Sequence, residues 1–267
     1  MGGRARLDAE LVRRGLAPSR AVAARLIKDG RVTVAGAPAA KAAALVAAGD
    51  PVAVTPGPAQ YASRGGTKLA GALDELGLGV EGRYCLDAGA STGGFTDVLL
   101  QRGAARVIAV DVGYGQLAWP LRTDPRVVVR DRANVRNLAP GDVPAPAPDL
   151  VVADLSFISL TLVLDALRAV ADADADFVLL VKPQFEAGRG RVGKGGVVRA
   201  PDAWAEAMAA VVAKGSEVGL GLVAAIPSVL PGPAGNIEFF VHLRSDGTAI
   251  PQAAIEGAVE RAPRASG

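Results

Sequence analysis

Apolar positions along the chain follow different periods in different stretches, and the changes mark its organisation. From Arg4 to Thr55 the apolar runs are short. Leu7, Leu11 and Val12 mark one short helix that closes near Gly15, and Ser19 is placed to cap a second, Arg20 to Asp29, with Val22, Leu26 and Ile27 on its inner side. Arg31-Val-Thr-Val34 and Asp50-Pro-Val-Ala-Val54 read as strands, and Pro56-Gly-Pro58 as a linker. Beyond it, Leu69, Leu73 and Leu76 form a helical stripe that ends at Gly77 and Gly79. Lys68 is expected in the first turn of that helix, where a cation opposes the helix dipole and asks for a functional reason.

From Tyr84 onward, continuous apolar runs alternate with helical periods. Strands are expected at 84–87, 106–110, 127–129, 149–153 and 177–181, then at 222–226 and 237–243. Helices are expected at about 95–102, 160–171 and 202–214. Unbroken Val/Leu/Ile strands are buried on both faces, so the alternation predicts a doubly wound α/β sheet. Glu186 to Arg199 is rich in Gly, Arg and Lys without apolar period and reads as a mobile loop that closes over a docked polyanion. Residues from Ser245 read as a polar tail with one weak helix. The expected division is 1–56, a small α+β module; 57–63, a linker; 64–245, a Rossmann-like α/β domain; and 246–267, a C-terminal tail.

Composition narrows the function classes. A single cysteine, Cys85, excludes an internal disulfide and fits a reducing cytoplasm. One histidine, His242, inside an apolar strand, leaves no histidine cluster for zinc, and no metal is expected. The uncharged stretch 218–237 carries four glycines and three prolines, too many breakers for a membrane span, and the basic N-terminus lacks the apolar run of a signal peptide. The formal net charge of +2 hides an asymmetry: residues 1–60 hold nine Lys/Arg against four Asp/Glu. A basic module joined to a near-neutral domain points to an anionic partner. Arg13, Arg14, Arg20, Arg25, Lys28 and Arg31 crowd its two helices, although most such runs are simply a solvated face.

Candidate chemistry centres on Tyr84-Cys-Leu-Asp-Ala-Gly-Ala-Ser-Thr-Gly-Gly-Phe95, a strand that ends at Asp87 and turns through Gly89, Gly93 and Gly94 into a helix. Glycines at such a turn let backbone approach a ligand, and Asp111, at the end of the next strand, is spaced to bind ribose hydroxyls. The spacing is D-x-G-x-x-x-G-G-F and not the dinucleotide G-x-G-x-x-G, and it resembles the first motif of S-adenosylmethionine-dependent methyltransferases; an ordinary βα turn is the plainer alternative. Asp154 ends one strand, Lys182 another, Glu238 lies near the start of the last, and Lys68 opens the preceding helix. Each alone fits a salt bridge at the sheet edge. Lys182 ends an apolar strand before a proline, so it should be partly desolvated and hold its proton less firmly.

As a set, Lys68, Asp154, Lys182 and Glu238 resemble the tetrad of the heat-shock-type RNA ribose 2′-O-methyltransferases. The order Arg6-Leu-Asp…Gly15-Leu-Ala-x-Ser-Arg20…Leu26-Ile-x-x-Gly30-x-Val32-x-Val34 resembles the RNA-binding domain named after ribosomal protein S-four. Together with Ser63-Arg-Gly65, Asp154-Leu-Ser-Phe157, Lys182-Pro-Gln-Phe185 and Gly193-Lys-Gly-Gly-Val-Val-Arg199, these stretches resemble the TlyA (hemolysin A) family as far as about Leu243. One departure is the linker Ala59-Gln-Tyr-Ala62, where the family can carry a basic-plus-tryptophan tetrapeptide.

The resemblance implies S-adenosylmethionine as cofactor, an S-four-like RNA-binding domain, and methylation of a cytidine 2′-hydroxyl in rRNA or ribosomal subunits. It implies catalytic roles for Lys68, Asp154, Lys182 and Glu238. Asp87, Gly89, Ala90, Ser91, Thr92, Gly93, Gly94 and Phe95 would frame the methionine end of the cofactor. Asp111 and Val112 would meet its ribose, and Asp131 and Asn134 its adenine. Arg6, Arg14, Arg20, Arg25, Lys28, Arg64, Arg189 and Lys194 would meet RNA. A monomer with no membrane partner is the default. The competing classes are a methyltransferase acting on a base or small molecule, a non-enzymatic ribosome-assembly factor, and a membrane-active hemolysin. Against the first, Asp154-Leu-Ser-Phe157 is not the Asn/Asp-Pro-Pro-Tyr type of motif.

Overall fold

The computed structural model describes residues 4–17, 19–28, 30–55, 60–188, 191–193 and 195–263. The chain divides into two compact units, Met1–Gln60 and Tyr61–Gly267. In the first, β1 (Arg4–Arg6), α1 (Leu7–Arg13), α2 (Arg20–Lys28), β2 (Val32–Val34), β3 (Ala37–Pro38), β4 (Leu45–Ala47) and β5 (Val52–Val54) enclose Leu7, Leu11, Ala23, Ile27, Val32 and Val46. Two small antiparallel sheets, β1-β4 and β3-β2-β5, complete it. The inner face of α2 is Ala23 and Ile27, with Leu26 partly buried; Val22, expected inside, is exposed. Ile27 lies four residues beyond Ala23 on one helical row, and Val22 sits off that row.

The second unit runs α3 (Arg64–Leu76), β6 (Tyr84–Ala88), α4 (Gly94–Gln101), β7 (Arg106–Val110), α5 (Trp119–Arg122), β8 (Val127–Arg130), β9 (Leu150–Ala153), α6 (Leu164–Val170), β10 (Asp176–Val181), α7 (Pro183–Glu186), α8 (Pro201–Glu217), β11 (Gly221–Pro227), β12 (Phe239–Arg244) and α9 (Pro251–Arg261). Its seven strands lie in the order β11-β12-β10-β9-β6-β7-β8. β10, β9, β6, β7 and β8 are parallel, whereas β12 is antiparallel to both β10 and β11. The chain runs from β6 outward to β8 and then returns to place β9 on the other side of β6. The crevice therefore opens at the carboxyl ends of β6 and β9, where ligands bind in sheets of this class. Layers of Leu, Val and Phe pack on both faces of the sheet.

Two expectations change here. Lys68 lies in the second turn of α3 and not the first, because Ser63 caps the helix by accepting from Gly65 N (3.2 Å) and the helix starts at Arg64. The segment expected as a tail is largely α9, which buries Ile255 and Ala258 against the sheet's core. Alanine and glycine give that helix a weak sequence pattern, yet they let it lie close to its neighbours. His242, expected to be structural, has Nε2 2.6 Å from Asp176 Oδ1, and Arg83 pairs with the other oxygen of that carboxylate (2.8 Å). Cys85 is buried, and burial pushes its thiol up to about 12, as an inert core thiol requires.

Candidate active site

The four chemical side chains come together through the strand order. Lys182 follows β10 and is held extended ahead of Pro183 (φ −111°, ψ 101°). Asp154 follows β9, one strand over. Because β12 runs antiparallel and Phe239 pairs with Val181, the residue before β12, Glu238, lands at the same edge as Lys182. Lys182 Nζ lies 2.6 Å from Asp154 Oδ1 and donates to Ser156 Oγ at 2.9 Å. Lys68 Nζ donates to Glu238 Oε2 at 2.5 Å, and both side chains are almost fully buried. All four line one cavity of about 270 Å³ with Gly65, Ser156 and the 89–95 turn.

The glycines of that turn are required by close packing. A Cβ on Gly89 (φ +87°) would lie 2.6 Å from the Asp154 carbonyl oxygen, and one on Gly94 2.1 Å from Ser63 Oγ. The turn thus presses against the start of α3 and the end of β9. Ser91 adopts φ +48°, and its N–H donates to Asp111 Oδ2 at 2.8 Å, while Gly113 N donates to Oδ1 at 2.7 Å. Asp111, Val112 and Asn134 line a second cavity of about 460 Å³, which shares Gly89, Ser91, Asp154 and Ser156 with the first. Gly89, Ala90, Ser91, Thr92, Gly94 and Phe95 line the first. A carboxylate and a carboxamide thus line a cavity that adjoins the one holding the four chemical side chains.

Three expected cofactor residues lie outside both cavities. Asp131 is tied up by Arg122 (2.8 Å) and Gly115 N (3.2 Å). Gly93 (φ +99°) is covered by Leu117 and Leu121. Asp87 is wholly buried beneath the turn: Thr96 Oγ1 donates to its Oδ2 at 2.6 Å, and Oδ1 has no hydrogen-bond partner among the described residues. Burial pushes the Asp87 carboxyl up to about 7; the Thr96 hydroxyl opposes the rise and the charge of Asp154 adds to it. The folded chain therefore holds this proton more tightly than the unfolded chain, whose aspartate loses it near pH 3.9. The group favours folding most below about pH 4, and this advantage is lost as pH rises towards 7. Asp87→Asn, always uncharged and still an acceptor for Thr96, is expected to gain stability over wild type as pH rises from 5 to 8, by up to a few kcal/mol. Parallel melting-temperature curves for the two proteins would contradict it.

Around the mouth, Phe157 is 91% exposed with φ +65° and packs against Phe185 at 5.2 Å between centroids, the rings tilted by 50°. Arg64 is exposed at the first cavity and donates to the Pro231 carbonyl (3.2 Å). Described residues of the stretch expected as a loose loop carry defined contacts. Asn236, buried, accepts from Val198 N (2.9 Å) and donates to Gly196 O (3.0 Å), while Trp204 Nε1 donates to Val198 O (2.9 Å). Arg191 pairs with Asp202 and Glu206, both at 2.7 Å. Arg189 and Lys194 lie outside the described residues.

In the first unit, several expected RNA contacts carry internal partners. Buried Asp8 holds both Arg6 (3.1 Å) and Arg20 (2.9 Å), and these arginines keep its carboxyl well below the usual carboxylate range. Buried Glu10 holds Arg13 and Arg14. Arg14 also donates to the carbonyls of Asp50, Ala47 and Ala48, so it is a strut of the fold. Its i, i+4 spacing from Glu10 was the available signal. Arg25 and Lys28 are exposed on α2. Reading by residue type also passed over Ser156, Thr96 and Gln116. Ser156 stands inside a quoted motif. Gln116 lines the second cavity from an irregular loop that has no period to mark it.

A family model described as FtsJ-like methyltransferase matches residues 61–245, and one described as S4 domain matches residues 5–52. The chain is 55% identical over 266 residues to the 16S/23S rRNA (cytidine-2′-O)-methyltransferase TlyA of Mycobacterium tuberculosis, covering 98% of each. It is 38% identical over 237 residues to Hemolysin A of Brachyspira hyodysenteriae, covering 89% of this chain and 98% of that one. A solved structure from Streptococcus thermophilus, 37% identical, superposes with a TM-score of 0.74 over 98% of this chain and 96% of that one. Among the described residues, no helix is long and apolar enough to cross a membrane.

Proposed function

The chain belongs to the TlyA family of FtsJ-like methyltransferases, and on that premise we propose that it methylates the 2′-hydroxyl of cytidine in rRNA, with S-adenosylmethionine as donor. The observation that carries the reading is the meeting of Lys182, Asp154, Lys68 and Glu238 in a cavity that adjoins the Asp111–Asn134 pocket. When bound, S-adenosylmethionine supplies an electrophilic methyl on a sulfonium. The chain's own residues do the rest. Asp111 and Asn134 hold the nucleoside end, and the backbone of Gly89 to Gly94 follows the amino-acid end. Lys182 Nζ takes the proton from the 2′-hydroxyl as its oxygen attacks. Asp154 fixes that nitrogen, and the Lys68–Glu238 pair walls the cavity beside it. Phe157 offers an aromatic face at the mouth, where a base splayed from structured RNA would stack.

Labelled methyl transfer to free rRNA and to intact ribosomal subunits tests this reading. Label recovered in 2′-O-methylcytidine is expected, and label confined to methylated bases would overturn it.

The first unit supplies RNA affinity. Arg25 and Lys28 are proposed as its phosphate contacts, because they are exposed on α2 and no carboxylate among the described residues of the unit holds them. Arg25→Ala and Lys28→Ala should each flatten the slope of log affinity against log salt by about one, with cofactor binding unchanged. Arg14→Ala should instead lower the thermal stability of the first unit. Fluorescence anisotropy on an rRNA fragment at several salt concentrations separates the two effects. An unchanged slope in the Arg25/Lys28 double variant would remove these two side chains from the interface.

A further inference from the structure

Among the described residues, Lys182 is the only member of the cluster held by a neutral side chain. Its Nζ, 2.6 Å from Asp154 Oδ1, donates to Ser156 Oγ at 2.9 Å. The Ser156 contact takes one of the three positions on an sp³ nitrogen beyond its own carbon, the Asp154 carboxylate lies beside it as an ion-pair partner without hydrogen-bond alignment, and a position remains for a substrate. Ser156 lies two residues beyond Asp154 on the same loop, and it lines both the catalytic and the nucleoside cavities, as well as a third against Gly195 and Gly196.

The loop that carries it is fixed at several points to the one that carries Lys182. Phe157 packs against Phe185 with the rings tilted. The Ser159 hydroxyl and the Leu160 N–H (2.8 Å) both donate to Glu186. Residues 156, 157 and 159–160 are thus matched in order to residues 182, 185 and 186.

Resting on the methyltransferase reading above, we propose that Ser156 is a positioning residue for Lys182. Its hydroxyl fixes the rotation of the amine, so that a position not taken by Ser156 faces the incoming 2′-hydroxyl. A carboxylate contact alone leaves the amine free to swing about that axis. The second contact removes this freedom without adding charge that would hold the proton on nitrogen. Because the effect passes through Lys182, it exists only while Lys182 is present.

Single-turnover transfer with saturating cofactor and RNA tests the proposal. Ser156→Ala is expected to slow the step about tenfold to a hundredfold, the scale of a misplaced reacting group. Cofactor and RNA affinities should stay within about twofold, since the Ser156 hydroxyl is engaged by Lys182. Ser156→Thr, which keeps the hydroxyl, should restore most of the rate. In a Lys182→Ala background, Ser156→Ala should cost nothing further, because the two changes remove one device. An equal further loss in that background would overturn the proposal, as would a Ser156→Ala enzyme of normal rate or one whose defect lies only in cofactor affinity. A wild-type protein that transfers no methyl to ribose would overturn the functional reading itself, and that control is read first.

Discussion

Lys182→Ala should lose about 10²–10⁴-fold in the rate of methyl transfer, the usual range for removing a general base. Lys182 is almost fully buried, it contacts both Asp154 and Ser156, and it faces the same cavity as the glycine turn. Cofactor binding measured by calorimetry should be nearly unchanged, because the cavity proposed for the nucleoside is lined by Gly89, Ser91, Asp111, Val112 and Asn134 and not by Lys182. Lys182→Arg should fail almost as badly. A guanidinium keeps its proton at any pH at which the protein is folded, and its planar fork does not reproduce the two contacts of the amine. A Lys182→Arg enzyme with near-normal turnover would mean that the site needs only positive charge there.

Glu238→Ala should destabilise the second unit by about 3–5 kcal/mol, the cost of leaving one member of a buried ion pair without the other. The Lys68 side chain is 7% exposed and that of Glu238 1%, so water cannot readily replace the lost carboxylate. Gly232 packs against Glu238, where a Cβ would lie 2.5 Å from Oε1, so the loop ahead of β12 would also lose its support. Removing both charges with Lys68→Met and Glu238→Leu should recover much of the stability and none of the activity. Thermal melts of the single and double variants decide the matter. A double variant no more stable than Glu238→Ala would show that the pair contributes more than mutual neutralisation.

Much of this site could be read from residue order alone. Parallel strands buried on both faces give unbroken apolar runs, so β6, β7, β9 and β10 declared themselves, and with them the positions of Asp87, Asp111, Asp154 and Lys182. The direction of β12 did not. No local pattern tells that the strand before α9 runs antiparallel between β10 and β11, yet this alone brings Glu238 to Lys68. Asp87 had the right residue type in the right motif, but its complete burial beneath the glycine turn depends on how closely Gly89 and Gly94 pack. Three-residue strands such as β1 and β4 are too short to show a period. In the first unit, charge was visible and its internal neutralisation by Asp8 and Glu10 was not, because burial of those acids is a tertiary property.

The most direct measurement of the central claim, that this cluster activates a ribose hydroxyl, is alkaline hydrolysis of rRNA after transfer of a labelled methyl group. Alkali cleaves RNA through the free 2′-hydroxyl, so methylation of that oxygen protects the following phosphodiester. The account predicts that label from the wild-type protein stays in alkali-resistant dinucleotides with cytidine on the 5′ side, and that Lys182→Ala yields almost none. Label released as ordinary mononucleotides would place the methyl on a base and contradict it.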